Sequence, residues 1–201
     1  RRDPEAAVTY FLELGYPVDA VLTYLMSIAN SNFEEWWAEN REKPLSEFPF
    51  SISKMSVVGA LFDIEKVNFF AREYIASLTA KEVVDEYLAY ALYNKNEKLV
   101  KRIKDNYDLF VQILNIERDG EKPRKDYHND SMVYPSIKFF FSDEFAAMHE
   151  DFDIGEFKES LSKDTLIGLL ESFKTELTYG EGNSVWFASL KKVAAKHGFA
   201  I

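Results

Sequence analysis

No part of this chain alternates apolar and polar residues with period two for long, whereas apolar residues recur at helical spacing almost throughout. That pattern excludes a sheet-based fold and commits the chain to helices that each bury one face. The stretch from Asp63 to Leu78 is the clearest case. Asp63 stands where an N-cap carboxylate meets the first free backbone N–H groups of a helix. Ile64, Val67, Ala71, Tyr74, Ile75 and Leu78 then fall on one face, with Lys66 and Arg72 off it. The expected fold class is all-α, a multi-helix bundle in two parts.

The remaining helices are punctuated in the same way. Asp3-Pro4 opens a first helix that Gly15 ends, with Val8, Phe11 and Leu12 inward. Pro17 opens a second, with Val18, Val21, Leu22, Leu25, Met26 and Ala29 inward, so the two form a helical hairpin. Asn32 caps a third helix, Phe33 to about Arg41, which carries Trp36 and Trp37. Adjacent indoles point roughly 100° apart on a helix. One of them is therefore expected either to stack on a neighbouring domain or to stand half exposed at the helix edge. Pro44 and Pro49 make an irregular linker. Thr79 with Glu82 spells a capping box, followed by the stripe Val83, Val84, Tyr87, Leu88, Ala91 and Leu92. After a break at Asn94 to Asn96, one longer helix is expected to carry Leu99, Ile103, Tyr107, Phe110, Val111 and Leu114, ending near Asp119-Gly120. Glu121 to Pro135 reads as a polar loop, and Lys138 to Phe141 as a strand or the start of a buried helix. Two closing helices bury Leu166, Leu169, Leu170, Phe173 and Leu177, then Trp186, Phe187, Leu190, Val193 and Ala194.

Composition narrows the function. With 47% hydrophobic and 15% aromatic residues, the 201-residue chain holds enough apolar material for a core. It has no cysteine, which removes disulfides, thiolate metal sites and cysteine nucleophiles and fits a reducing cytosol. No apolar run is long enough for a bilayer. The net charge of −10 speaks against a nucleic-acid partner unless lysines and arginines gather on one face.

They do gather in sequence. Lys98, Lys101 and Arg102 share one face of a helix, beside Lys104, and suit several phosphates. Lys122, Arg124 and Lys125 are interleaved with Tyr127 and His128, charge beside stackable rings, as single-stranded bases require. Lys191, Lys192, Lys196 and His197 make a third basic edge. Each cluster reads equally as a solvated face. His149-Glu150-Asp151 with Asp153 lacks the spacing of metal ligands, so no metal is expected. No glycine-rich phosphate loop or Gly-x-Ser-x-Gly elbow is present, and no residue is expected to be catalytic.

Phe50-Ser51-Ile52-Ser53-Lys54-Met55-Ser56, then Gly59-Ala60-Leu61-Phe62-Asp63 and Lys66, resembles the stem-contact region of bacterial glutamyl-tRNA synthetases. Arg1-Arg2-Asp3-Pro4-Glu5-Ala6 is similar to the residues that follow that family's Lys-x-Ser-Lys signature. The resemblance covers roughly the first third of the chain. It implies a C-terminal part of such an enzyme, of the class I type with a helical anticodon-binding region. Residues 1–78 would be a stem-contact portion and 79–201 an anticodon-binding portion truncated at its end. The start at Arg1 and the stop at Phe199-Ala200-Ile201 agree with an excised piece. The implied partner is tRNA, specifically tRNA-Glu, gripped by a cytoplasmic monomer with no membrane contact. ATP and Mg²⁺ would serve the parent enzyme, and this chain would hold no cofactor. The expected tRNA contacts are Lys54, placed by the resemblance, with Lys98, Lys101, Arg102, Arg124 and Lys125. Two rivals stay open: a glutaminyl or non-discriminating synthetase, and a helical protein-interaction module with no RNA partner, which the acidic charge favours.

Overall fold

The computed structural model describes residues 3–55, 59, 61–118, 120–150, 161–176 and 182–199. Among these there are eleven α-helices and no strand, so the chain is all-α. It divides into two compact units, residues 1–141 and 142–201.

The first unit holds α1 (Val8–Leu14), α2 (Val18–Ala29), α3 (Phe33–Glu39), α4 (Ile64–Ser77), α5 (Ala80–Tyr93), α6 (Glu97–Asp105), α7 (Tyr107–Leu114) and α8 (Val133–Ile137). α4 begins as its sequence dictates: the Asp63 Oδ1 accepts from the Glu65 N–H at 2.9 Å. The capping box of α5 is complete. The Glu82 N–H donates to Thr79 Oγ1 at 3.3 Å, and the Thr79 N–H donates to Glu82 Oε2 at 2.8 Å.

Apolar side chains in this unit form two clusters that change over at the end of α4. One gathers Phe11, Tyr16, Ala20, Tyr24, Val67, Phe70 and Ala71, with α2 lying along α4. The other starts at Ile75 and takes in Val84, Tyr87, Ile103, Phe110, Val133 and Phe141, with α5 packed on α6 and α7. This changeover lies inside the unit. Arg118 bridges it. This buried guanidinium donates to the carbonyls of Ile75 at 2.7 Å and Leu78 at 3.0 Å, and its Nε donates to Leu114 at 2.9 Å. The last carbonyls of α4, which have no partner within their own helix, are thereby satisfied from α7's end. A second tie runs from the Asp130 N–H to the Gly15 carbonyl at 3.0 Å.

Several expectations are corrected. The first helix starts as a 3-10 turn, Pro4–Ala6, without a side-chain cap from Asp3. α2 buries Ala20, Thr23 and Tyr24 and leaves Val18, Leu22 and Leu25 outward, because the Tyr24 hydroxyl accepts from the Asp63 N–H at 2.7 Å and turns that face inward. The long helix after Asn96 is broken at Asn106, whose side-chain amide donates to the Arg102 carbonyl at 3.0 Å in competition with the backbone. Trp36 and Trp37 meet Phe48 at 5.3 Å and Phe70 at 4.8 Å and are both half-buried, in keeping with the second of the two readings, a half-exposed ring at the helix edge. Lys138–Phe140 is a 3-10 turn rather than a strand.

The second unit holds α9 (Ser142–Glu150), α10 (Lys163–Glu176) and α11 (Asn183–Lys196), with α10 packed on α11. α9 was not anticipated, although Asp143 and Glu144 suit the positive N-terminal end of a helix. The Ser172 hydroxyl and His197 Nε2 meet at 2.7 Å between α10 and α11. Val193 and Ala194 are buried, whereas Leu170, Trp186 and Phe187, expected inside, are exposed. Leu177 lies outside the described residues, as do Arg1, Arg2, Ser56 and Ala60.

Candidate nucleic-acid interface

α6 presents the densest basic surface. Its N-cap Asn96 accepts from the Leu99 N–H at 3.0 Å, which fixes the start of the helix and so the direction of its cations. Leu99 and Ile103 are buried, so the side chains between them at helical spacing face out. Lys98, Lys101 and Arg102 come together around one shallow depression, with Asp105 and Asn106 on its rim. The expected shared face is therefore present.

The three cations differ in what surrounds them. Lys98 is exposed and has no carboxylate partner among the described residues. Lys101 is paired with Asp105 one turn on, at 2.5 Å. Arg102 is half-buried, its guanidinium carbon 5.2 Å from the ring centre of Phe141 and 5.9 Å from that of Tyr134. Lys98 and Arg102 also line a neighbouring cleft of about 210 Å³ with Tyr90, Asn96 and Tyr134. Cations beside phenol rings can hold a phosphate and the flat face of a base together. Sequence reasoning missed Tyr90 and Tyr134, which reach the cleft from α5 and α8.

Arg124 and Lys125 lie apart from α6 in their contacts. Arg124 is paired with Asp126 at 2.5 Å. Lys125 pairs with Glu73 on α4, which Arg41 also reaches at 3.4 Å while lying 3.3 Å over the centre of the Trp37 ring. Of the rings expected to stack on bases beside them, Tyr127 does not face solvent and His128 is half-buried. Tyr127 is buried, its hydroxyl accepting from Ser136 at 3.1 Å, and the His128 ring lies 5.6 Å from Tyr16. Burial pushes the His128 imidazole below its ordinary range, toward the neutral form. Lys54 ends the 3-10 turn Ile52–Lys54, is exposed, and has no carboxylate partner among the described residues. Its carbonyl accepts from the Ser31 N–H at 3.2 Å, which ties the turn to the end of α2.

Two carboxylates, Asp130 and Glu86 of α5, are held above their ordinary range, which the sequence did not disclose. Burial, then the neighbouring Glu86, push the Asp130 carboxyl up to about 8. Burial also raises Glu86, which accepts from the Tyr74 hydroxyl at 2.8 Å. Among the described residues no group of three histidine or carboxylate side chains converges as a metal would need. No described helix is long and apolar enough to cross a membrane.

No family model matches the chain. Curated relatives do, along its whole length and so well beyond Thr79. It is 33% identical over 200 residues to a glutamate–tRNA ligase of Acetivibrio thermocellus, covering 100% of this chain and 35% of the relative. For the enzyme of that name from Clostridium beijerinckii the identity is 34%, covering 99% of this chain and 36% of the relative. For that from Sorangium cellulosum it is 30%, covering 100% and 34%. The chain thus spans about a third of the length of the curated relatives it matches, in their C-terminal part. By this full-length likeness, the chain belongs to the glutamate–tRNA ligase family as a counterpart of its C-terminal part.

Proposed function

We propose that this chain is the tRNA-binding portion of a glutamate–tRNA ligase, gripping tRNA-Glu while the attachment chemistry resides in preceding polypeptide. Residues 1–78 serve as the stem-contact portion and 79–201 as the anticodon-binding portion. In the parent, ATP and Mg²⁺ supply the activation of glutamate, in the cytoplasm and as a monomer. The observation that carries this is the match to the C-terminal part of named ligases, which covers the whole chain.

Chemically, Lys98, Lys101 and Arg102 offer a short row of cations to a phosphate backbone, and Lys54 offers another in the first portion. Arg124 and Lys125 have carboxylate partners and contribute only by exchanging them for phosphate. Surface pairs of that kind hold each other by about 0–1 kcal/mol, so the exchange is cheap. A strongly acidic chain binds RNA in this way, with a small basic face on which Asp105 is the one carboxylate of the depression's lining.

The test is a titration of the 201-residue chain with unmodified tRNA-Glu transcript across salt, with an unrelated tRNA as control. Expected is affinity that prefers tRNA-Glu and falls steeply with salt as counterions are released. Absence of binding at low salt would overturn the assignment for this chain and favour a helical protein-interaction module.

A further inference from the structure

Two cations far apart in sequence converge on one carboxylate of α4. Lys125 Nζ lies 2.5 Å from Glu73 Oε1, and Arg41 Nη1 lies 3.4 Å from Glu73 Oε2, so each oxygen takes one cation. Arg41 stands just past the end of α3, and Lys125 comes from the segment between α7 and α8. Two positive charges thus share a single negative one.

The arginine is set in place by packing. Its guanidinium lies 3.3 Å over the centre of the Trp37 ring, and that indole meets Phe70 edge-on at 4.8 Å. A planar guanidinium supported on a ring has little freedom left to lose when it binds an anion. Trp37, Arg41, Phe70, Glu73 and Tyr74 line a cleft of about 210 Å³ at this point. A carboxylate and a phosphodiester each spread one negative charge over two oxygens, and both accept charge-assisted hydrogen bonds from arginine and lysine. The arrangement that holds Glu73 therefore suits a backbone phosphate. Exposed ion pairs are weak and exchange readily. With 21% of its side-chain surface in water, Glu73 also has a way out of the seat.

We propose that Arg41 and Lys125 form a second tRNA phosphate site, which Glu73 fills until a backbone phosphate displaces it. This rests on the tRNA reading above, and it adds Arg41 as a contact and Glu73 as the group that sets the strength of the site. An arginine stacked on a ring also serves unpaired bases, which favours RNA over an acidic polypeptide as the incoming anion.

The test titrates tRNA-Glu transcript across salt with the unaltered 201-residue chain and with Glu73→Gln, Arg41→Gln and Lys125→Gln, recording thermal midpoints beside the affinities. Glu73→Gln keeps the shape of the side chain and removes the competing charge, so it is expected to tighten binding by about three- to tenfold. Arg41→Gln and Lys125→Gln are each expected to weaken binding by about threefold and to lower the slope of log affinity against log salt by about 1. The loss from Arg41→Gln should grow when it is combined with Glu73→Gln, because the arginine is then free to bind. A merely structural cluster would shift the thermal midpoints and leave affinity and slope as they were, and that result would overturn the proposal. A gain by Glu73→Gln for inorganic phosphate or polyglutamate, with tRNA unchanged, would also overturn it, in favour of a free anion or an acidic polypeptide. If the unaltered chain binds tRNA-Glu and all these variants bind alike, this site fails and the tRNA reading stands. If neither the unaltered chain nor Glu73→Gln binds tRNA at low salt, both fail together.

Discussion

Gly15 sits where three demands meet. Its φ of +72° is left-handed, and a Cβ there would lie 2.5 Å from Tyr90 Cδ2 and 2.6 Å from Asp130 Cβ. Gly15→Ala adds backbone strain and overpacking, expected to cost about 2–4 kcal/mol together. A fall in the urea midpoint without change of slope would register it. Asp130, packed against the same glycine, sets a pH dependence. Its folded carboxyl titrates at about 8, above the ordinary value of 3.8, so the native state binds the proton more tightly. Stability from this group is therefore present at low pH and lost as pH rises from about 4 to about 8. Asp130→Asn should flatten that slope, by up to about 1 kcal/mol per pH unit, when unfolding free energy is measured across the range. A slope identical to the parent chain's would refute the assignment. Neither residue's role was legible beforehand. Gly15 reads as a helix stop, but the residues crowding it lie far along the chain.

At the scale of elements, the capping signals of α4 and α5 were read correctly, whereas the Asp3 cap, the break at Asn106 and the distant contacts were not. α4 and α5 start where Asp63 and Thr79 said they would, because a cap and its partners lie within three residues. Thr79→Ala is expected to cost about 1 kcal/mol, seen as a lowered thermal midpoint. The face of α2 was misread because a hydroxyl on Tyr24 bonds to a backbone N–H at Asp63, which no periodicity within α2 reports. The single helix expected after Asn96 became two for a reason visible only in hindsight: an asparagine mid-helix whose amide turns back to Arg102. On the candidate interface the pattern was similar. Lys98, Lys101 and Arg102 were legible from spacing within one helix, whereas Tyr90 and Tyr134 join them from two others. Tyr127 and His128 were misjudged because a polar run looks like an open loop, yet both rings fold back onto Ser136 and Tyr16.

For the whole molecule, the net charge of −10 sets how nucleic acid can be held. Part of the described positive charge is already matched: Lys66 with Glu34, Arg124 with Asp126, Lys125 with Glu73 and Lys196 with Glu176. Binding by this chain should therefore rest on few phosphates and fade at moderate salt. Lys101→Glu is expected to weaken tRNA binding and to reduce the slope of log affinity against log salt by about 1. Asp105→Asn, which releases Lys101 from its partner, should act in the opposite direction. If both substitutions left the salt titration unchanged, α6 would be removed from the interface.

The ties at the end of α4 bear on how such a molecule measures what it holds. Arg118 fastens the carbonyls of Ile75 and Leu78, and Asp130 fastens Gly15, so the joint between the first portion and the helices after it is clamped from two directions. A joint fastened in that way does not swing. On the proposed tRNA reading, Lys54 and the α6 cations would then be carried at a set interval, like the jaws of a locked caliper, and the RNA would have to bring its own phosphates to that gauge.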